Sequence, residues 1–301
     1  MSYYLIKVKN ILQHNVQYVK KKSYNLIVLD ISGEGDKDYN SSRIKNLIKL
    51  YYERYNIKTI ALSQNSLACD NNDIFYYNFA WEYFNKDYKV IRSNTTNKYF
   101  YNYLGGYPRK DKILFINKLI NSETISKSLV SFGTIEKDLK SIASIKTLSS
   151  TPKIIDHDML YSKHTGEFWQ KIKQEFYMQS RFSLIQETEM QHQTNRYTEK
   201  TLKAIAMKSP FIIAGNYGVL DRLHQDGFRT YHPMINESYD LEKNRNKRIN
   251  LIIKEVERLC DMSYQQWIEF ESTFLKRTLN HNADQLSKLK SKQKFISSLR
   301  F

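Results

Sequence analysis

Phe182-Ser183-Leu184-Ile185-Gln186-Glu187-Thr188-Glu189, then Arg196-Tyr197-Thr198-Glu199-Lys200-Thr201-Leu202-Lys203-Ala204-Ile205, then Ser209-Pro210-Phe211-Ile212-Ile213-Ala214-Gly215, decide how the chain is read. Phe182 to Gln186 is a short apolar run with a polar finish, the pattern of a buried strand. Glu187, Thr188 and Glu189 follow it, where an open α/β sheet places its ligand groups. After a polar loop, Met190 to Arg196, Thr198 has the chemistry of an N-cap, and the spacing predicts a helix from Thr201 to Met207. Pro210 ends that helix, and Phe211 to Ala214 reads as a second buried strand. The unit is strand, loop, helix, strand, with charged groups gathered at one end.

A nucleotide sugar, the donor implied by the glycosyltransferase family that this stretch resembles, offers a flat base, a ribose diol and a doubly charged diphosphate, and the stretch has a partner for each. Tyr197 can stack on the base. Glu199 can accept two hydrogen bonds from the diol. Lys200 can neutralise the diphosphate, with the helix N-terminus beside it adding unpaired N–H groups. That positive charge gains value as the leaving diphosphate gains charge. A Thr-Glu-Lys triplet alone is an ordinary helix start.

The composite Phe-Ser-Leu-x-x-Glu, polar loop, Tyr-Thr-Glu-Lys, helix and Pro-led strand resembles the donor-site motif of the α-1,3-fucosyltransferase family. The match runs from Phe182 to Gly215. Thr188-Glu189 stands where those enzymes carry Asn-Ser. The continuation, Gly227-Phe228-Arg229-Thr230-Tyr231 and Glu237-Ser238-Tyr239-Asp240, more nearly resembles uncharacterised viral and bacteriophage relatives. The resemblance implies an α/β fold of GT-B type: two Rossmann-like domains, a deep cleft between them and a C-terminal helical segment. It also implies an inverting glycosyltransferase, with the sugar left open. Glu187 resembles the family glutamate that contacts the donor sugar, and the roles of Tyr197, Thr198, Glu199 and Lys200 are implied in the same way. No Asp-x-Asp metal motif stands out, so metal-independent transfer is expected, with the nucleotide sugar as co-substrate and no other cofactor.

The expected division is an acceptor domain over 1–125, a nucleotide-sugar domain over 126–265, and helices over 266–301 that return to the first domain. In the N-terminal part, Tyr24 to Ile31 is a continuous apolar run, read as a buried parallel strand. Asp30, Gly33, Glu34, Gly35 and Asp36 lie at or past its end. This acidic loop offers a general base for an acceptor hydroxyl, with Glu34 first and Asp36 or Asp30 behind it. The plainer reading of the same loop is a strand-to-helix turn with solvated acids. Ser41 to Tyr55 has helical spacing, Ile57 to Leu62 reads as a strand, and the aromatics of Ile74 to Phe84 suit a core or a stacking surface. Short strands are expected at Tyr88 to Ile91 and from Tyr99 to Leu104. Gly105-Gly106-Tyr107-Pro108-Arg109-Lys110 then opens a helix from Lys112 to Asn121. Arg109 there is a candidate diphosphate contact, as a segment of the phage relatives also suggests, or a surface cation.

Ile125 to Gly133 reads as a strand, Thr134 to Pro152 as a linker and Glu167 to Met178 as a helix with Phe168, Ile172 and Phe176 on one face. Beyond Gly215 come a helix over Tyr217 to Gln225 closed by Gly227, a strand over Phe228 to Tyr231, and a loop whose acids, Glu237 and Asp240, are candidates to face the cleft. Helices over Asn244 to Met262 and from Ser263 onward follow. Lys288, Lys290, Lys292, Lys294 and Arg300 make the tail basic, as a solvated face or a phosphate contact.

Across 301 residues, 41% are apolar, which supports ordinary cores and excludes a disordered chain. Two cysteines give no disulfide framework or zinc spacing, and no run is long enough to span a bilayer, so a cytoplasmic protein is expected. The net charge of +16 favours a polyanion, and DNA is therefore a candidate acceptor, as a modified base out of its stack, alongside a glycan. Lysine-rich codon usage is the bland source of the same charge. A non-catalytic nucleic-acid-binding protein that keeps a GT-B-like fold is the competing class.

Overall fold

The computed structural model describes residues 2–7, 24–32, 40–70, 72–84, 88, 90, 98–105, 110–132, 172, 174–191 and 195–299. Glu34, Asp36, Arg109, Phe168 and the expected linker at 134–152 lie outside these residues. The fold is mixed α/β with parallel sheets. The chain divides into two compact units: Met1–Glu82 with His192–Arg196 and Lys290–Phe301, and Tyr83–Gln191 with Tyr197–Leu289.

In the first unit, β1 (Tyr3–Lys7), β2 (Leu26–Ile31), β3 (Thr59–Ser63) and β4 (Ile74–Tyr76) form a parallel sheet in that order. Every residue of β2 and β3 is buried, as a continuous apolar run requires of a strand covered on both faces. Helix α1 (Ser41–Tyr55) starts at Asn40, whose side chain accepts from the Arg43 N–H, and stops at Asn56 in a left-handed conformation. Its Ile44, Ile48 and Tyr51 pack against Ile27, Leu29 and Ala61 of the sheet.

The second unit has a parallel sheet in the order β6 (Leu129–Phe132), β5 (Tyr99–Gly105), β7 (Ser180–Gln186), β8 (Phe211–Ala214). The chain steps outward from β5 to β6, then resumes on the other side of β5 with β7. A topological switch point therefore lies between β5 and β7, and open α/β sheets bind ligands beyond the carboxyl ends of such strands. β1 to β4 wind in one direction, so no switch point falls among the described strands of the first sheet.

Sheet membership puts β5 and the helix after it, α2 (Lys110–Ile120), in the second unit, ahead of the boundary at residue 125 drawn from sequence. The reason is aromatic packing. Tyr101 lies 5.6 Å from Phe182, and Tyr103 stacks on Phe115 at 5.9 Å. Both tyrosines are wholly buried.

Short helix α3 (Gln174–Met178) leads into β7. Around this sheet stand α4 (Glu199–Ala206), α5 (Val219–Gln225), α6 (Arg245–Cys260), α7 (Tyr264–Phe270) and α8 (Lys276–Lys288). Between α7 and α8 the helix widens to a π turn over Glu271–Leu275. Ser263 opens α7 with a reciprocal capping box to Gln266. Trp267 of α7 is fully buried, 6.0 Å from Phe182.

Local expectations differ from the structure in a few places. Ile125 to Ser128 is not strand: a 3-10 turn over Glu123–Lys127 precedes β6, held by Ser128 donating to the Thr124 carbonyl at 2.8 Å. Tyr88 and Val90 carry no strand assignment. Phe228 to Tyr231 is irregular as well. There the Asn282 side chain takes the place of a neighbouring strand, accepting from the Arg229 N–H at 2.8 Å and donating to its carbonyl at 2.9 Å. Among the described residues no helix is long and apolar enough to cross a membrane.

The end of the chain belongs to the first unit. Helix α9 (Lys292–Ser298) is capped by Ser291, and the Lys292 ammonium lies 2.7 Å from Asp30 at the end of β2. The Lys292 N–H donates to Glu82 at 2.7 Å, and Phe295 packs on Tyr77 at 5.2 Å. At Lys292 the basic tail is therefore an internal ion pair, neither a solvated face nor a phosphate contact. Arg196, in the same unit, donates to Gln64 at 2.8 Å.

Candidate functional site

The candidate site forms where β7 ends and α4 begins, at the switch point of the second sheet. Glu187 continues the β7 ladder through its N–H to the Ala214 carbonyl at 2.9 Å. Its side chain then reaches across the loop to the start of α4. One carboxylate oxygen accepts from the Thr198 N–H at 2.9 Å and the Thr201 hydroxyl at 2.8 Å. The other accepts from the Thr198 hydroxyl at 2.6 Å. Glu187 is 2% exposed, so its acceptors are used inside the protein. A carboxylate here is favoured by the positive end of the helix dipole. The resemblance implied contact with a donor sugar; in the structure both carboxylate oxygens have partners within the chain. They clasp the strand end to the helix start.

Thr198 is the N-cap read from the sequence, with extended backbone at φ −123 and ψ −169. Its hydroxyl oxygen also accepts from the Lys200 ammonium at 3.1 Å. That ammonium is shared with Glu199 at 2.9 Å and the Thr188 hydroxyl at 3.4 Å, and the Lys200 side chain remains 22% exposed. Glu199 is buried, which by itself would raise its carboxyl. The neighbouring charge and hydrogen bond of Lys200, with Lys203 behind, outweigh burial and hold it at about 2. Glu199 is thus an ionised acceptor at neutral pH.

Lys203 was not picked out by the sequence reading. Burial pushes its ammonium down to about 8, against the opposing attraction of Glu199 and with the repulsion of Lys200. The available signal was its place one turn after Glu199 on the same helix face. One carboxylate and two ammonium groups, Lys200 in the first turn and Lys203 in the last, therefore share this short helix, a net positive cluster suited to an anion.

Tyr197 needs correction. It is fully buried, its hydroxyl donates to Asp226 at 2.7 Å, and its ring meets Phe228 edge-on at 6.2 Å. It occupies the position before the N-cap, where an apolar side chain commonly packs back to fix how the chain enters the helix. Its ring is core and presents no face to a nucleobase.

Asp30 also has internal work. Ser32 donates to it through its N–H at 3.2 Å and its hydroxyl at 2.6 Å, and Lys292 completes the set. Its carboxylate oxygens are thus engaged within the first unit. Glu237 and Asp240, expected to face the cleft, are likewise tied to backbone. Glu237 accepts from the Tyr231 N–H at 2.7 Å, and Asp240 accepts from the Leu220 N–H at 3.1 Å. Burial pushes the Asp240 carboxyl up to about 7, against those backbone bonds.

Arg248, also unremarked in the sequence, pins the loops around the site. Its guanidinium donates to the Gly215 carbonyl at 3.1 Å, and to the carbonyls of Met190 and Glu242. It therefore joins the chain after β7 to the chain after β8. Arg245 pairs with Asp111 in the first turn of α2, and Asp111 in turn accepts from the Met190 N–H at 3.1 Å. The start of α2, next to Arg109, is thereby stitched to the exit of β7. The clue in the sequence was a basic residue, Arg248, beside the apolar stripe that begins at Ile249.

The chain matches no protein-family model and no curated protein. Among solved structures it is similar to a crystal structure of an α1,3-fucosyltransferase with GDP, at 13% identity and a TM-score of 0.41, over 85% of this chain and 79% of that one.

Proposed function

We propose that the chain is a glycosyltransferase of GT-B type that takes a sugar from a nucleotide-sugar donor held by the second unit. One observation carries this reading. Thr188 is separated in sequence from Thr198, Glu199 and Lys200 by residues 189–197, yet the ammonium of Lys200 joins it to them past the carboxyl end of β7, at the switch point. In this reading Lys200, with Lys203 behind it, offsets the charge on the departing diphosphate. Glu199 accepts from the ribose hydroxyls. Arg109, which precedes α2 in sequence, adds a further cation. Glu187 is a positioning residue that sets the helix start. The lysine supplies the charge that a divalent ion would otherwise provide, so transfer proceeds without metal; inversion is what the family resemblance implies. The base that deprotonates the acceptor hydroxyl is Glu34, with Asp36 behind it. A glycan and a base in DNA are the two acceptor classes that the charge of +16 leaves open.

The test is a transfer assay over a panel of UDP-, GDP- and CDP-sugars. Glu34→Gln is expected to bind donor nearly as tightly as the parent chain while transfer falls by about a hundredfold or more. Transfer by the parent is expected to persist in EDTA. Full activity in Glu34→Gln would remove this base, and a strict divalent requirement would contradict the metal-free route.

A further inference from the structure

The second unit holds a cavity of about 460 Å³ whose polar lining includes His224, Arg229, His232 and Arg277. It lies away from the Lys200 cluster. Lys208, just ahead of β8, donates to Asn280 at 3.1 Å, one turn from Arg277 in α8. The cavity therefore sits by the amino end of β8, whereas Lys200 stands past the carboxyl end of β7.

Its parts are held in place. Asn282 grips the backbone of Arg229 on both sides, at 2.8 and 2.9 Å. The Thr230 hydroxyl donates to Glu237 at 2.7 Å, which leaves its oxygen to accept from His224 Nε2 at 3.0 Å and fixes a proton on that nitrogen. Glu237 spends its other oxygen on the Tyr231 N–H, so its charge is committed to the strap that carries Arg229. Among the described residues, neither Arg229 nor Arg277 forms an ion pair. Of the remaining wall, Thr273 and Phe274 come from the π turn, a local widening that recurs at functional sites, and Thr278 comes from α8.

Two guanidinium groups with no carboxylate partner among the described residues, two imidazoles and threonine hydroxyls form a concave site of small-ligand size. Recognition of a nucleic-acid backbone calls instead for a basic stripe that tracks many phosphates. We propose that this cavity binds the phosphate group of a small phosphorylated molecule, at a site separate from Lys200.

The test titrates inorganic pyrophosphate by calorimetry into the full chain carrying Lys200→Ala, which removes the other anion cluster. The imidazole resonances of His224 and His232 are followed in parallel. One saturable site that shifts both resonances is expected, and adding Arg229→Ala with Arg277→Ala should weaken it about tenfold or more. Both arginines are exposed, so the melting temperature should stay within a few degrees; where it does not, Arg277→Ala alone serves, with the same direction expected. Unchanged affinity without the arginines, or no shift of the two histidines, would overturn the assignment. So would duplex DNA that competes through the same arginines.

Discussion

Lys200→Ala should lower transfer by about two to three orders of magnitude, the loss expected when one preorganised group facing the leaving oxygen is removed. The structure makes the reason specific. The ammonium is fixed by Glu199 at 2.9 Å, Thr198 at 3.1 Å and Thr188 at 3.4 Å, so it needs little rearrangement to meet a diphosphate. Its removal also leaves Glu199 buried without its nearest cation, so donor affinity should fall together with rate. Lys200→Arg keeps the charge and should retain much of the binding with part of the rate. Steady-state rates and nucleoside diphosphate affinity, measured on both variants, decide the matter. An alanine variant with the parent's rate and affinity would take Lys200 out of the site.

The second large effect concerns stability. Glu187→Ala removes the acceptor of the Thr198 N–H, the Thr198 hydroxyl and the Thr201 hydroxyl at once. A buried donor left unsatisfied costs about 1 to 3 kcal/mol, and these neighbours share one carboxylate, so about 3 kcal/mol for the set is expected. For a unit of this size that corresponds to a fall of roughly 6 to 12 °C in melting temperature. Glu187→Gln retains one acceptor oxygen and should lose less than half as much. Because the clasp sets the start of α4, the alanine variant should also weaken donor binding. Thermal unfolding of the three proteins checks the order parent, glutamine, alanine. Identical melting curves would show that the clasp contributes nothing.

The strands and helices around the site were legible because each is a local pattern. Phe211–Ala214 is an unbroken apolar run between Pro210 and Gly215, and the strand falls on those residues. Ser41–Tyr55 shows its apolar face at helical spacing, and the helix has those bounds. The N-cap at Thr198 followed from a side-chain oxygen ahead of a helical stretch. What depends on distant partners was not legible. Nothing near Tyr197 in sequence announces Asp226 and Phe228, so a buried staple looked like a stacking platform. The strand expected at Phe228 to Tyr231 has its backbone satisfied by one amide from Asn282 instead of a neighbouring strand. Asp30 was read as a free acid because its partner, Lys292, lies at the far end of the chain. The placement of β5 in the second sheet depends on Phe182 and Phe115, residues that its own alternating pattern cannot specify.

Everything said of catalysis depends on the opening of α4 holding a nucleoside diphosphate through Lys200. The most direct measurement is the melting temperature, with UDP, GDP and CDP in turn, of the chain and of its Lys200→Ala variant, both carrying Arg229→Ala and Arg277→Ala so that the second anion site is silent. One diphosphate at a hundred times its dissociation constant should stabilise the parent by about 2.7 kcal/mol, a rise of several degrees, and should leave the variant nearly unmoved. A parent that none of the three stabilises, or a variant stabilised as much as the parent, would contradict the account.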